Sequence, residues 1–234
     1  MNNSFPEIFK IIDMDHSGQK KKFVFQEIPE HYYDEIMNKL IYEYWSDEIT
    51  YRSLNVINDP VSALDIKNTF KKYLAHKMSI GVFECKENDE NKLIGLNILF
   101  RENINSINIS NLNSNYYERI TNCIYTFKKS YVEQLIGNED YLASEMLFVC
   151  KDYRKLGLAR QLLELRNYVG KKHNFKYTIS MFTSPTAQKL AENEGFKKKC
   201  ILNYNDVRMV DNEKNNPLSL LRDKTLTCMI KYIL

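Results

Sequence analysis

The sequence of 234 residues contains few of the residues that commonly mark turns, with seven glycines and five prolines. It lacks any apolar run close to the roughly 18 residues of a membrane-spanning helix, and its polar N-terminus lacks the apolar core of a secretion signal. We therefore expect a cytoplasmic protein without a membrane partner. Because glycine is scarce, each one is informative about the backbone at its position.

Neither charge nor cysteine is concentrated in one part of the chain. The 33 basic and 30 acidic residues are scattered and leave a formal net charge of +3, so we expect no nucleic-acid partner. The five cysteines are odd in number and widely spaced, which indicates neither a disulfide framework nor a zinc site. We expect no metal. Cys150 ends an apolar run, and we interpret it as a structural thiol and not as a nucleophile.

The sequence predicts a single α/β domain over residues 1–234, in which residues 1–21 form a polar N-terminal segment. The apolar pattern of the first half predicts the following strands and helices. A strand at 22–28 precedes a helix from Pro29 to near Trp45, and Asp59 with Pro60 opens a second helix. Two runs at 79–85 and 93–101 predict an antiparallel hairpin. An Asn-rich loop follows at 103–115, and then a helix at 116–137 with a candidate interruption at Ser130, which begins a capping-box pattern.

The second half alternates between strand and helix patterns. Strands are predicted at 146–150, 175–181, 196–204 and 225–234, and helices at 158–169 and 185–194. This alternation predicts a mixed sheet with helices on both faces.

A strand, a tight turn and a helix N-terminus follow one another at residues 146–169. Such a turn directs successive backbone N–H groups into one concavity, where the helix dipole adds partial positive charge that suits a pyrophosphate. Gly157 permits a ligand to approach closely, and Ala159 adds little bulk. From the residues alone, an ordinary strand-to-helix connection is an equally good interpretation.

Together with its flanking elements, the pattern Arg154-x-x-Gly157-x-Ala159 resembles the acetyl-coenzyme A motif of the GNAT superfamily of N-acetyltransferases. A later helix, opened by Ser184 and closed by a Gly-Phe pair, is similar to another element of that family. The resemblance implies the GNAT fold, with a mixed, mostly antiparallel central sheet and helices on both faces, and acetyl-CoA as the acyl donor. The cofactor-binding residues that it implies are Phe148, Val149, Arg154, Lys155, Leu156, Gly157, Leu158, Ala159, Arg160 and Ser184.

The first half of the chain resembles the insect arylalkylamine N-acetyltransferases, including the dopamine-acetylating type. In that family an Asp-Glu-Pro-like sequence supplies a Glu that is regarded as the general base, and Asp47-Glu48-Ile49 matches it here. The resemblance therefore implies that Glu48 is the catalytic base. We further predict that Tyr44 and Trp45, which are close to Glu48 in the sequence, contact the substrate through its aromatic ring or its cation.

The chain departs from the family pattern at the positions that would protonate the leaving thiolate. Two serines of the arylalkylamine type correspond to Thr183 and Ala187, and a tyrosine found in many GNAT members corresponds to Ala191. Thr183 is therefore our candidate acid. The Pro after the base is replaced by Ile49, which affects the local loop.

These observations predict a monomeric N-acetyltransferase that transfers acetyl to the primary amine of a small arylalkylamine by direct attack in a ternary complex. Two alternatives stay open. The acceptor is a polyamine, an amino acid or a protein N-terminus, or the chain is a coenzyme-binding module that has lost turnover.

Overall fold

The computed structural model describes residues 5–53, 55–86, 90–105, 115–204 and 225–233. Its strands are β1 (Ile8–His16), β2 (Gln19–Glu27), β3 (Ile80–Glu84), β4 (Lys92–Glu102), β5 (Tyr141–Val149), β6 (Tyr177–Phe182), β7 (Lys197–Asn203) and β8 (Thr225–Tyr232). They form one eight-stranded sheet in the order β1-β2-β3-β4-β5-β6-β8-β7. All neighbours in this order pair antiparallel except β5 and β6, which are parallel. The mixed, mostly antiparallel sheet is confirmed.

Helices cover both faces of the sheet, as predicted. They are α1 (Tyr33–Glu35), α2 (Ile41–Asp47), α3 (Ile49–Ser53), α4 (Pro60–Leu74), α5 (Asn115–Ile136), α6 (Leu158–Lys172) and α7 (Pro185–Asn193), and a π-helical turn at Ile36–Leu40 joins α1 to α2. Apolar side chains of the helices from α1 to α5 pack on one face, and those of α6 and α7 pack on the other.

Two helices begin where the sequence predicts, because each has a capping side chain followed by proline. The Asp59 carboxylate accepts a hydrogen bond from the Val61 amide at 3.1 Å, at the start of α4. The Ser184 hydroxyl accepts from the Ala187 amide at 3.1 Å, at the start of α7. These bonds satisfy amides that have no partner inside the helix.

Two predictions for local structure were incomplete or wrong. The polar N-terminal segment contains β1, because pairing with β2 satisfies its backbone and its partly buried Phe9, Ile12 and Met14 pack against the α6 side of the core. The interruption at Ser130 does not occur, since its hydroxyl donates to the Phe127 carbonyl at 3.0 Å and α5 continues to Ile136. Most of the predicted Asn-rich loop lies outside the described residues.

A buried arginine on α6 holds β5 and β6 together. Arg166 is 1% exposed, and its guanidinium donates to the Thr178 hydroxyl and, at 3.5 Å, to the Leu142 carbonyl. The Thr178 hydroxyl itself donates to the Leu142 carbonyl at 2.9 Å. Burial lowers the pKa of Arg166 to about 9, and the guanidinium lies 5.2 Å from the centre of the Phe196 ring.

We predict that Thr178→Val lowers the free energy of unfolding by about 1–3 kcal/mol, because the buried guanidinium loses an acceptor while the side-chain shape is kept. Thr227→Val is the matched control. Thr227 is fully buried in neighbouring β8, and its hydroxyl has no hydrogen-bond partner among the described residues. Denaturant unfolding should show little or no loss in Thr227→Val, and equal losses in both variants would contradict this role of Arg166.

Candidate active site

The parallel strands β5 and β6 separate after a short paired region. Pairing extends only from Leu142 with Thr178 to Ser144 with Ser180. Beyond these three pairs β5 stays paired with β4 as far as Val149, whereas β6 stays paired with β8 as far as Phe182. The two strands therefore leave a wedge-shaped gap between them, and each borders it with backbone that no neighbouring strand satisfies.

The register of β4 and β5 shows which amide faces this gap. The Cys150 amide donates to the Ile94 carbonyl at 2.8 Å, so Ile94 and Cys150 occupy a hydrogen-bonded position of the ladder. Because such pairs alternate along an antiparallel ladder, the Phe148 amide points to β4 and the Val149 amide points to the gap. The Phe148 side chain is 4% exposed and packs in the core, so a contact with the cofactor, which stays a prediction, would have to involve its backbone.

The segment predicted to bind phosphate lies at the start of α6. Gly157 precedes the helix with φ +76°, and the first helical bond runs from the Gln161 amide to the Gly157 carbonyl at 3.2 Å. The amides of Leu158, Ala159 and Arg160 therefore have no acceptor within the helix. A Cβ built on Gly157 would meet no atom within 4 Å, so the space above these amides is open. The cradle fits a pyrophosphate.

The side chain of Arg154 is directed away from this cradle. Its Nε donates to the Val149 carbonyl at 2.9 Å, and its Nη2 donates to Asp47 Oδ2 at 2.5 Å. Lys151 Nζ lies 3.3 Å from the other Asp47 oxygen. Burial tends to raise the pKa of Asp47, but Arg154 and Lys151 outweigh it and hold that pKa below its usual value. Arg154 thus connects the end of β5 to the residue beside Glu48.

Strand β1 contributes a wall to the cradle that the sequence did not indicate. A cavity of about 380 Å³ lies between β1 and the start of α6. It is lined by Lys10, Ile12, Asp13, Met14, Leu156, Gly157, Arg160 and Gln161. The Arg160 side chain is exposed here and its Nε donates to Glu194 at 2.7 Å.

A second cavity, of about 160 Å³, lies where β5 and β6 diverge, on the face covered by α2 to α5. Its lining includes five tyrosines, four charged residues and several small or apolar groups: Tyr44, Glu48, Thr50, Tyr51, Tyr73, Glu102, Tyr117, Thr121, Ile124, Tyr125, Lys128, Ser144, Glu145, Met181, Thr183 and Leu226. Burial raises the pKa values of Tyr44, Tyr51 and Tyr73 well above the ordinary value for tyrosine, so their hydroxyls stay protonated. We call this space the acceptor cavity.

Glu48 and Thr183, which the sequence separates by most of the chain, meet in the acceptor cavity. Glu48 follows α2 in an extended conformation, and its Oε2 accepts from the Tyr51 amide at 2.8 Å. Its Oε1 is buried and has no hydrogen-bond partner among the described residues. Burial raises the pKa of Glu48, while the nearby Thr183 hydroxyl and the hydrogen bond from the Tyr51 amide oppose this rise.

The two predicted substrate contacts separate in the structure. Tyr44 lines the acceptor cavity. Trp45 is fully buried in the core, with its ring 5.1 Å from that of Tyr42, and it is not part of the cavity lining. Successive residues on a helix point in directions about 100° apart, and here Tyr44 faces the cavity while Trp45 faces the core.

Three charged residues that line the acceptor cavity, Glu102, Lys128 and Glu145, were not predicted from the sequence. Glu145 is the extra residue of a bulge in β5, between the pairs that Ser144 and Met146 make with β4. Lys128 on α5 contacts Glu102 at the end of β4 in an ion pair. A glutamate inside an apolar strand pattern was a usable signal for Glu145, because buried carboxylates need a reason to be there.

The surroundings of the Cys150 thiol do not favour a role as a nucleophile. Burial raises the pKa of the Cys150 thiol to about 11, so the group stays protonated near neutral pH. Within the described residues no group of three or more His, Cys, Asp or Glu could hold a metal ion. Likewise, no helix in the described ranges is long and apolar enough to cross a membrane.

No family model and no curated protein sequence matches the chain. Solved structures do match it. A protein of the yellow fever mosquito Aedes aegypti, which carries the name arylalkylamine N-acetyltransferase 7, aligns with a TM-score of 0.86 and 21% identity over 100% of this chain and 98% of its own. Arylalkylamine N-acetyltransferase 2 of Aedes aegypti aligns with a TM-score of 0.75 and 17% identity, over 91% and 99%. A Drosophila melanogaster polyamine N-acetyltransferase that forms N-acetylagmatine aligns with a TM-score of 0.70 and 11% identity, over 90% of this chain and 99% of its own.

At these identities the comparisons show a shared fold. The chain has the fold of the GNAT N-acetyltransferases. Within that class it resembles the insect arylalkylamine N-acetyltransferases, so the resemblance stated from the sequence is confirmed for the fold.

We predict that Gly157→Ala weakens coenzyme A binding, because its methyl group enters the open space above the amides. Losing one hydrogen bond to a charged phosphate lowers affinity about tenfold or more. Gly18→Ala is the matched control, since Gly18 has the same φ of +76° and equally open surroundings, but lies in the β1–β2 turn. Both variants should lose about 1–2 kcal/mol of stability from backbone strain.

Titration calorimetry with coenzyme A separates the two effects. Weaker binding in Gly157→Ala alone supports the cradle. Unchanged affinity in a folded Gly157→Ala protein would show that the pyrophosphate binds elsewhere.

Proposed function

We propose that this chain is an N-acetyltransferase that transfers acetyl from acetyl-CoA to the primary amine of a small acceptor, by direct attack in a ternary complex. The observation that carries the proposal is the position of Glu48 and Thr183 in one cavity at the gap between β5 and β6. The open surroundings of Gly157 lie a few residues after β5, the strand whose Val149 amide faces this gap. No covalent acyl-enzyme is required, because the reactants can be held side by side.

Glu48 has the surroundings of a general base. An alkylammonium has a pKa near about 10, so it must lose a proton before its lone pair attacks. The buried, unpartnered Oε1 of Glu48 can accept that proton, and the raised pKa of the carboxyl brings its basicity closer to that of the amine. Ionised Glu48 also attracts the cationic acceptor into the cavity.

The remaining charge changes are assigned to Val149 and Thr183. The thioester carbonyl gains negative charge as the amine attacks, and the Val149 amide facing the gap can stabilise it. The leaving thiolate receives a proton from the Thr183 hydroxyl, and the Glu48 carboxyl, which lines the same cavity and has taken the proton of the amine, returns one to Thr183. A thiol leaves readily, since its pKa is about 8.5 by analogy with cysteine, so this hydroxyl assists and is not indispensable.

The acceptor proposed from the resemblance is an arylalkylamine, and the five tyrosines of the acceptor cavity support it because they offer flat apolar faces to a ring. A protein N-terminus is disfavoured by the volume of about 160 Å³. An amino acid is disfavoured, because its carboxylate would lie close to the like charges of Glu48 and Glu145. A polyamine is favoured by the same two carboxylates and is the second candidate.

The test of the base is the pH dependence of Glu48→Gln. Because glutamine cannot accept the proton, we expect turnover at neutral pH to fall by about 10²-fold or more, with coenzyme affinity kept. The defect should shrink toward the pKa of the amine, where solution supplies free amine. Steady-state rates with tyramine between about pH 6.5 and 9.5 measure this.

Stability provides an independent readout for the same variant. The folded-state pKa of Glu48 is raised, so its ionisation destabilises the fold at neutral pH, and Glu48→Gln should melt at or above the wild-type temperature. Glu35→Gln is the control, because its carboxylate lies outside the cavity, 3.7 Å from Lys39. Equal rates and parallel pH profiles for wild type and Glu48→Gln would refute the role of Glu48.

For Thr183→Ala we expect a modest loss of turnover, smaller than that of Glu48→Gln, because thiolate departure tolerates the loss of one hydroxyl. Single-turnover kinetics isolate the chemical step. An unchanged chemical rate in Thr183→Ala would remove this residue from the mechanism.

A further inference from the structure

The acceptor cavity contains more acidic charge than one ammonium group would neutralise. Three carboxylates line it, those of Glu48, Glu102 and Glu145, together with one ammonium, that of Lys128. Lys128 is in contact with Glu102, which also accepts a hydrogen bond from the Tyr141 hydroxyl. Glu48 and Glu145 are therefore left without an ion pair of their own among the residues that the structure describes.

Tyr51 spans the distance between these two carboxylates. Its backbone amide donates to Glu48 Oε2 at 2.8 Å, and its hydroxyl donates to Glu145 Oε1 at 3.2 Å. The carboxylates thus lie near opposite ends of one tyrosine. An extended four- or five-carbon diamine has a comparable distance between its two nitrogens.

Both glutamates are partly buried, so their ionised forms are costly unless a cation approaches them. Desolvation raises the pKa of Glu145 to about 7, with the nearby Lys128 opposing this rise and Glu102 and Glu48 adding to it. A buried carboxylate is stabilised by a cation that approaches with a hydrogen bond. The buried Oε1 atom of Glu48 likewise has no hydrogen-bond donor among the described residues.

We propose that Glu145 is a specificity-determining residue, which binds a second cationic group of the acceptor while the other amine is acetylated at Glu48. The preferred acceptor is then a short aliphatic diamine. This inference rests on the proposed acetyl transfer, and it ranks the diamine, the second candidate above, before the arylalkylamine. The tyrosine faces serve the diamine as well, because they pack against its methylene groups and attract its cations.

The test compares acceptors of equal length with one or two amines. We expect wild type to acetylate cadaverine with a higher kcat/KM than pentylamine or tyramine. Glu145→Gln keeps the side-chain shape but removes the charge, so kcat/KM for cadaverine should fall about 30-fold or more. The value for pentylamine should stay within about threefold or rise, since a monoamine leaves Glu145 unpaired.

Two further variants keep the test decisive. Tyr51→Phe removes the hydroxyl that orients Glu145 and should lower the cadaverine-to-pentylamine ratio in the same direction. Glu35→Gln, outside the cavity, should leave the ratio unchanged. A Glu145→Gln protein that loses both acceptors equally would show a merely structural role and overturn the proposal. Wild-type preference for tyramine, lost in Glu145→Gln, would assign Glu145 to a ring hydroxyl and overturn it too.

Binding distinguishes this proposal from the proposed reaction. Cadaverine is titrated calorimetrically into the coenzyme A-loaded wild type and Glu145→Gln proteins, with pentylamine as the reference ligand. Tighter cadaverine binding that depends on Glu145 supports the second cation site even if no amine is acetylated, which would refute the proposed function alone. Equal affinity for the two amines in wild type would overturn the cation site, whatever the turnover.

Discussion

The short parallel pairing between β5 and β6 is the constraint on which the rest of the site depends. Three residue pairs join the strands, and buried Arg166 binds both of them at Leu142 and Thr178. Each strand then follows its antiparallel neighbour, because those ladders satisfy the backbone better than a strained continuation would. The gap that results leaves the Val149 amide unpaired by either neighbouring strand, and it is here that we propose the acyl donor binds.

The contact between Arg154 and Asp47 brings the two halves of the chain together at this gap. Arg154 follows the end of β5 and begins the cradle segment, whereas Asp47 ends α2 and precedes Glu48. The start of α6 and Glu48 are thereby fixed relative to one another. If the first binds the coenzyme and the second the amine, as proposed, this fixed arrangement removes the entropy of a bimolecular encounter.

How much of this the sequence could predict depends on the range of the interactions concerned. Local signals sufficed for the caps of α4 and α7 and for Gly157, since a cap or a left-handed residue is specified within a few positions. They failed for Glu145 and Lys128, which only the packing of α5 on β5 brings to one cavity. Trp45 was misplaced because an aromatic residue on a helix does not reveal which side faces a ligand.

The central claim is that acyl donor and amine meet in the gap between β5 and β6. A crystal structure with coenzyme A bound tests it most directly. The account predicts the pyrophosphate within hydrogen-bond distance of the amides that follow Gly157, and the thiol between the Val149 amide and the Thr183 hydroxyl. A coenzyme bound away from the cradle, or a thiol outside the gap, would contradict the account.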